Sequence, residues 1–84
     1  MEFTSHLYVK GHEEEFQFSF FKADKQGEEA LCLVKSRILE YPVIFGKNVD
    51  GSWSCISNAP VIIAEVAPDI SRSIIDYKVL KDQL

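Results

Sequence analysis

The stretch Phe16-Gln17-Phe18-Ser19-Phe20-Phe21 decides how this chain is read. Rings at 16, 18 and 20 alternate with Gln17 and Ser19, and a period of two belongs to a strand with one apolar face. Upstream, Phe3, Ser5, Leu7 and Val9 alternate in the same way and end at Lys10-Gly11-His12-Glu13. Gly11 supplies the backbone freedom that a tight turn requires. The two runs predict an N-terminal β-hairpin over about 2–10 and 14–22 whose aromatic face must be covered by another part of the chain. Thr4, His6 and Tyr8 fall on the opposite side of its first strand.

Beyond the polar break Ala23-Asp24-Lys25-Gln26-Gly27-Glu28, the apolar residues Ala30, Leu31, Val34, Ile38 and Tyr41 recur at helical intervals. Glu28 and Glu29 at the start, with Lys35 and Arg37 later, complement a helix dipole, and Pro42 ends the run. These signals predict a middle helix over about 28–40. A strand over 30–36, with Leu31, Leu33 and Lys35 alternating against Cys32, Val34 and Ser36, is the competing reading. Pro42 to Phe45 and Ser52 to Ile56, joined through Gly46-Lys47-Asn48-Val49-Asp50-Gly51, form a second hairpin, because Asp-Gly tolerates positive φ. Val61-Ile62-Ile63-Ala64-Glu65-Val66 is nearly continuous in apolar character, the pattern of a central strand covered on both faces.

Pro68-Asp69 punctuates the last segment, with Asp69 as the expected N-cap. Ile70, Ile74, Tyr77, Leu80 and Leu84 share one face of a C-terminal helix over 69–83, although Ile75, Tyr77 and Val79 also permit a strand. The expected fold is therefore α+β: a small, mainly antiparallel sheet of about five strands built from two hairpins, with a middle and a C-terminal helix. A small β-barrel is the alternative should both helices fail. Residues 1–84 are expected to form a single compact domain, since a chain of this length buries roughly 60–65% of its unfolded surface.

Composition narrows function mainly by exclusion. With 46% hydrophobic and 26% charged residues the chain is ordinary globular material. Its longest apolar runs are too short to span a bilayer, and no basic flank precedes a long apolar stretch near Met1. A cytoplasmic location without a membrane partner is expected. The net charge of −4 opposes attraction to phosphate backbones, so nucleic acid is an unlikely ligand despite Tyr8, Phe21 and Trp53, which could stack bases. Lys35 with Arg37, and Lys78 with Lys81, read as solvated cations.

No catalytic signature stands out. His6 and His12 near Glu13, Glu14 and Glu15 are the one candidate metal cluster, and they read more simply as a solubilising turn. Cys32 and Cys55 lack ligand or redox spacing and read as small buried hydrophobes. Glu65, inside an apolar run, would be a perturbed carboxylate if buried. No cofactor is implied. Trp53, just past the Asp50-Gly51 turn, closes a small core or anchors a partner. Were Phe21, Tyr8 and Trp53 to share a surface, they would make a partner-binding patch. The expected function is a small acidic protein-interaction module, an adaptor or inhibitor acting by surface occupation, with a homodimer as one form of it. The rival is a small-molecule binder or small enzyme built on Glu65, His6, His12 or a cysteine.

Overall fold

A computed structural model describes residues 1–83. The N-terminal hairpin pairs Glu2–Val9 (β1) with His12–Ala23 (β2), in a register that sets Phe3 opposite Phe18 and Ser5 opposite Phe16. Lys10 and Gly11 form the two-residue turn, with φ of 53° and 82°. Both values are positive, as the mirror-image hairpin turn demands, because that turn matches the twist of the flanking strands. Glu29–Lys35 (β3), Val43–Lys47 (β4) and Trp53–Cys55 (β5) follow, giving one antiparallel five-stranded sheet in the order β1-β2-β3-β4-β5. Ile63–Asp82 forms the helix α1.

Period two governs the hairpin. Phe16, Phe18 and Phe20 face α1 and are buried together with Cys32, Val34, Val43 and Phe45 from the next two strands. The helix answers with Ile63, Val66, Ile70 and Ile74, spaced by three and four so that all lie on one side. Phe3 stacks between Phe18 and Tyr77, at ring-centroid distances of 4.4 and 4.0 Å. Trp53 reaches within 5.8 Å of Phe20, although their strands are three spacings apart, about 14 Å in a flat sheet. The sheet thus curls round the helix, and both of its edges approach α1. At the β1 edge Ser5 Oγ lies 3.3 Å from Ser73 Oγ, and at the β5 edge the Ser71 hydroxyl accepts the Trp53 amide at 3.0 Å.

The middle helix expected over 28–40 is corrected to the strand β3, as in the competing reading of 30–36. The segment lies between β2 and β4, with Phe18 opposite Val34 and Leu33 opposite Ile44. A strand in that place meets apolar neighbours on both faces, and two alternating apolar sets imitate a helical stripe. The strand expected over Val61–Val66 is corrected as well, because the chain turns helical there. Ile63, Ala64 and Glu65 donate their amides to the carbonyls of Pro60, Val61 and Ile62 at 3.0–3.2 Å. Burial of Ile63 and Val66 alongside Ile70 and Ile74 outweighs their β-branched preference.

Asp69 is therefore an interior residue rather than the N-cap, and Pro68 lies inside the helix. Ile62 occupies the cap position without a side-chain hydrogen bond. Leu84, assigned above to the helix face, lies outside the described residues. The second hairpin expected from Pro42 to Phe45 and Ser52 to Ile56 is not matched. β4 continues through Gly46 and Lys47, residues assigned to the turn, while β5 retains only three residues. The turn itself is Asn48–Ser52, locked by Asp50 Oδ1, which accepts both the amide and the hydroxyl of Ser52. A closed barrel is excluded, since β1 and β5 do not pair.

One polar clamp fixes the end of α1. Lys78 Nζ and Lys81 Nζ approach Glu29 at 3.2 and 3.0 Å, tying the last turns of the helix to the start of β3. Lys78 Nζ also lies about 6 Å from the Phe20 and Trp53 ring centroids, at 6.0 and 5.8 Å. Burial pushes the Glu29 carboxyl up, but the hydrogen bonds and charges of Lys81 and Lys78 outweigh it and hold the group below its ordinary value. A depressed carboxyl contributes stability that is present above the unfolded-chain value, near about pH 4.3, and lost as pH falls through the folded one. Chemical denaturation from pH 7 to pH 3 is expected to show the native chain losing stability across that window. Glu29→Gln should start lower and show a flatter dependence. Phe18→Ala, which empties the centre of the aromatic row, is expected to cost about 3–5 kcal/mol in urea denaturation.

Candidate functional site

Covering the sheet from one side leaves the other side open. On that outer face β1 and the first part of β2 present polar residues, with Glu2 opposite Ser19, Thr4 opposite Gln17, His6 opposite Glu15 and Tyr8 opposite Glu13. Across β3 and β4 the same face is apolar between Leu31 and Leu33 on one strand and Ile44 on the other, while β5 places Ser54 there opposite Gly46. Leu33 stands opposite Ile44, Leu31 stands opposite Gly46, and Ile56 donates its amide to the Ile44 carbonyl at 2.9 Å. Leu31, Leu33 and Ile44 are half-buried by one another, whereas Ile56 is 59% exposed.

Gly46 is the floor of this patch. A Cβ there would meet Ile56 Cδ1 at 3.2 Å and Leu31 Cδ2 at 3.7 Å, so the missing side chain lets those two close over the backbone. Phe21 joins from β2. The pairing passes from Phe20–Cys32 to Lys22–Leu31, so Phe21 is the extra residue of a bulge, and such residues re-aim side chains at strand ends. It is 53% exposed. Leu31, Leu33, Ile44 and Ile56 thus form a contiguous apolar surface on the face opposite α1, bordered by Lys35 and the acidic half of the sheet, with the exposed Phe21 at the bulge next to the Lys22–Leu31 pair.

The residues proposed from sequence separate. Trp53 is only 4% exposed and closes the core beneath α1. Tyr8 is 70% exposed at the hairpin tip, on the same outer face as Phe21 but near the far end of the sheet. By the pairing register some eight residues, roughly 26 Å, lie between them along the strands. No common patch unites the three. Sequence reasoning found Phe21 and missed its neighbours, because Leu31 and Leu33 had been assigned to a helix and Ile44 and Ile56 to an unremarkable hairpin.

The polar candidates also disperse. Glu65 is exposed on α1, not buried in a strand. His6 pairs with Glu15 at 3.6 Å on the outer face, and His12 opposes Val9 at the hairpin tip. Among the described residues no group of three or more His, Cys, Asp or Glu side chains is placed to hold a metal ion. Glu14, which sequence read as a solvated charge, is buried on the helix side of β2. Arg37 Nη2 donates to its Oε2 at 3.0 Å and sits 2.9 Å from Oε1, which finds no hydrogen bond of its own. Arg37 is itself largely exposed, but removing it would leave the buried Glu14 carboxylate unpaired, so Arg37 is a structural partner first.

Cys32 is buried and Cys55 half-buried, both as free thiols. They flank Phe45 in one row of the sheet, two strand spacings or roughly 10 Å apart, beyond disulfide reach. Burial pushes the Cys32 thiol up to about 12, so no thiolate forms at neutral pH. Thiol titration of the native chain is expected to count one reactive group, Cys55, and a second only after denaturation. Rapid reaction of both would contradict the placement of Cys32. No helix among the described residues is long and apolar enough to cross a membrane. No family model matches the chain, and neither a curated protein nor a solved structure matches it significantly.

Proposed function

We propose that the chain is a protein-interaction module whose working surface is the apolar half of the outer sheet face. The observation that carries this reading is the arrangement of Leu31, Leu33 and Ile44 on the side of the sheet that α1 leaves bare, extended by the exposed Phe21 and Ile56. Monomers seldom present contiguous apolar surface without a use for it, and apolar residues framed by polar ones are the usual anatomy of a binding face. The rim supplies orientation. Glu2, Glu13 and Glu15 on the same face, with a net charge of −4 for the chain, favour a partner whose apolar contact is bordered by Lys or Arg.

Such a module acts as an adaptor or inhibitor, by occupying a partner's surface. Its two unbridged thiols suit a reducing compartment, which supports a cytoplasmic setting. The small-molecule and enzymatic alternative loses support from the scattering of Glu65, His6, His12 and the cysteines.

Leu33→Lys and Ile44→Lys place a charge in the middle of the patch without touching the core beneath α1. Affinity capture from cells that make the protein, followed by direct binding to the recovered partner, is expected to show association for the native chain and loss of about tenfold or more for each variant. Both variants should keep the native circular dichroism spectrum. Undiminished binding by well-folded variants would refute the assignment of this face.

A further inference from the structure

The edge of the sheet holds a second, separate surface. Phe20 donates its amide to the Met1 carbonyl at 2.9 Å, which makes residues 1 and 20 a hydrogen-bonded pair. Such pairs alternate along an antiparallel ladder, so Phe3, Ser5, Leu7 and Val9 bond inward to β2. Glu2, Thr4, His6 and Tyr8 then direct their N–H and C=O groups outward. Among the described residues nothing hydrogen-bonds to those outward groups.

The two edges are managed differently. β5 is only three residues long, the short edge that resists further pairing. β1 runs for eight residues without Pro or a bulge, and its helix-side residues Phe3, Ser5, Leu7 and Val9 include no charge. Apart from Glu2 at its first position, it carries none of the charges, prolines or bulges that usually discourage edge pairing. Leu80 stands beside it on α1, three residues past Tyr77, which stacks on Phe3, and seven past Ser73, which meets Ser5. It is 63% exposed.

We infer that β1 pairs antiparallel with β1 of a second copy, about a two-fold axis at Ser5, to make one continuous ten-stranded sheet. The register follows from the strand's own sequence. Centring on Ser5 sets Glu2 opposite Tyr8 and Thr4 opposite His6 across the axis, so every outward-directed residue of both strands is bonded. On the helix side it sets Phe3 opposite Leu7, an aromatic–aliphatic pair that continues the core. Glu2 falls diagonally beside His6 of the other copy, and no like charges face each other. Centring on His6 instead uses fewer outward groups and sets the two imidazoles against each other. Because opposed residues share a face, both helices lie on the same side, and each Leu80 is carried towards Leu7 and Val9 of the other chain. A two-fold interface of this kind is self-limiting.

Sedimentation equilibrium at micromolar concentration tests the inference, with twice the 9.6 kDa chain mass expected for the native protein. His6→Pro removes an outward N–H and no backbone hydrogen bond within the chain, losing besides only the exposed His6–Glu15 contact, and should weaken the dimer about tenfold or more. Where that proline perturbs the fold, Thr4→Lys with His6→Lys sets lysines opposite lysines and should give a folded monomer. Ser5→Cys, in a Cys55→Ser background, should form an intermolecular disulfide on mild oxidation, whereas Thr4→Cys should not, because only residue 5 meets itself. A monomeric native chain, a dimer that survives the double lysine variant, or cross-linking through residue 4 in place of residue 5 would overturn the inference. The edge is distinct from the outer apolar face, so a monomer that still binds a partner leaves the proposed function standing.

Discussion

Everything in this molecule depends on the contact between three phenylalanines of one strand and four aliphatic side chains of one helix. Phe16, Phe18 and Phe20 alternate on β2, and Ile63, Val66, Ile70 and Ile74 line α1. Each fully buried side chain of this kind stabilises the fold by about 1.5–3 kcal/mol. Neither element could hold its shape alone. A hairpin is marginal in water, and α1 begins without a side-chain cap and carries a proline in its interior. The helix exists because the sheet offers it a core, and the sheet curls because one helix must be met from both edges.

That constraint also generates the functional surface. A helix about 10–12 Å across covers one face of the sheet and leaves the other to solvent. Where the outer residues are Glu2, Thr4, His6, Glu15 and Gln17, exposure costs nothing. Where they are Leu31, Leu33, Ile44 and Ile56, the chain carries apolar surface that folding does not bury. Gly46 sharpens this arrangement, since a larger residue would push Ile56 and Leu31 apart and break the continuity of the patch. The Lys78–Glu29–Lys81 clamp acts on the opposite face, holding the helix end over Phe20 and Trp53.

The hairpin at the amino end was legible because period two leaves no ambiguity when every second residue is aromatic, whereas the count of five strands agrees only because β3, read as a helix, offsets the strand expected over Val61–Val66. The middle segment was not, for a physical reason. Ala30, Leu31, Val34 and Ile38 look like a helical stripe, but a strand between two others is apolar on both sides, and two interleaved period-two patterns contain helical spacings. The same ambiguity worked in reverse at Val61–Val66, where a continuous β-branched run reads as a central strand and becomes the first turn of a helix because its neighbours Ile70 and Ile74 extend the stripe. Pro68-Asp69 was a plausible helix start and proved to be an interior proline. Of the candidate site, only Phe21 could be seen beforehand. Its companions become neighbours through the β3–β4 register, which no local pattern in the sequence records.

The central claim is that α1 shields one face of the sheet and that the other bears a solvent-facing apolar patch. Solvent paramagnetic relaxation of methyl resonances in dilute, isolated protein measures this directly. The account predicts strong enhancement for the methyls of Ile56, clear enhancement for Leu31, Leu33 and Ile44, and almost none for Val34, Val43, Ile70 and Ile74. Equal protection of both sets would mean that something covers the outer face, and would contradict the account.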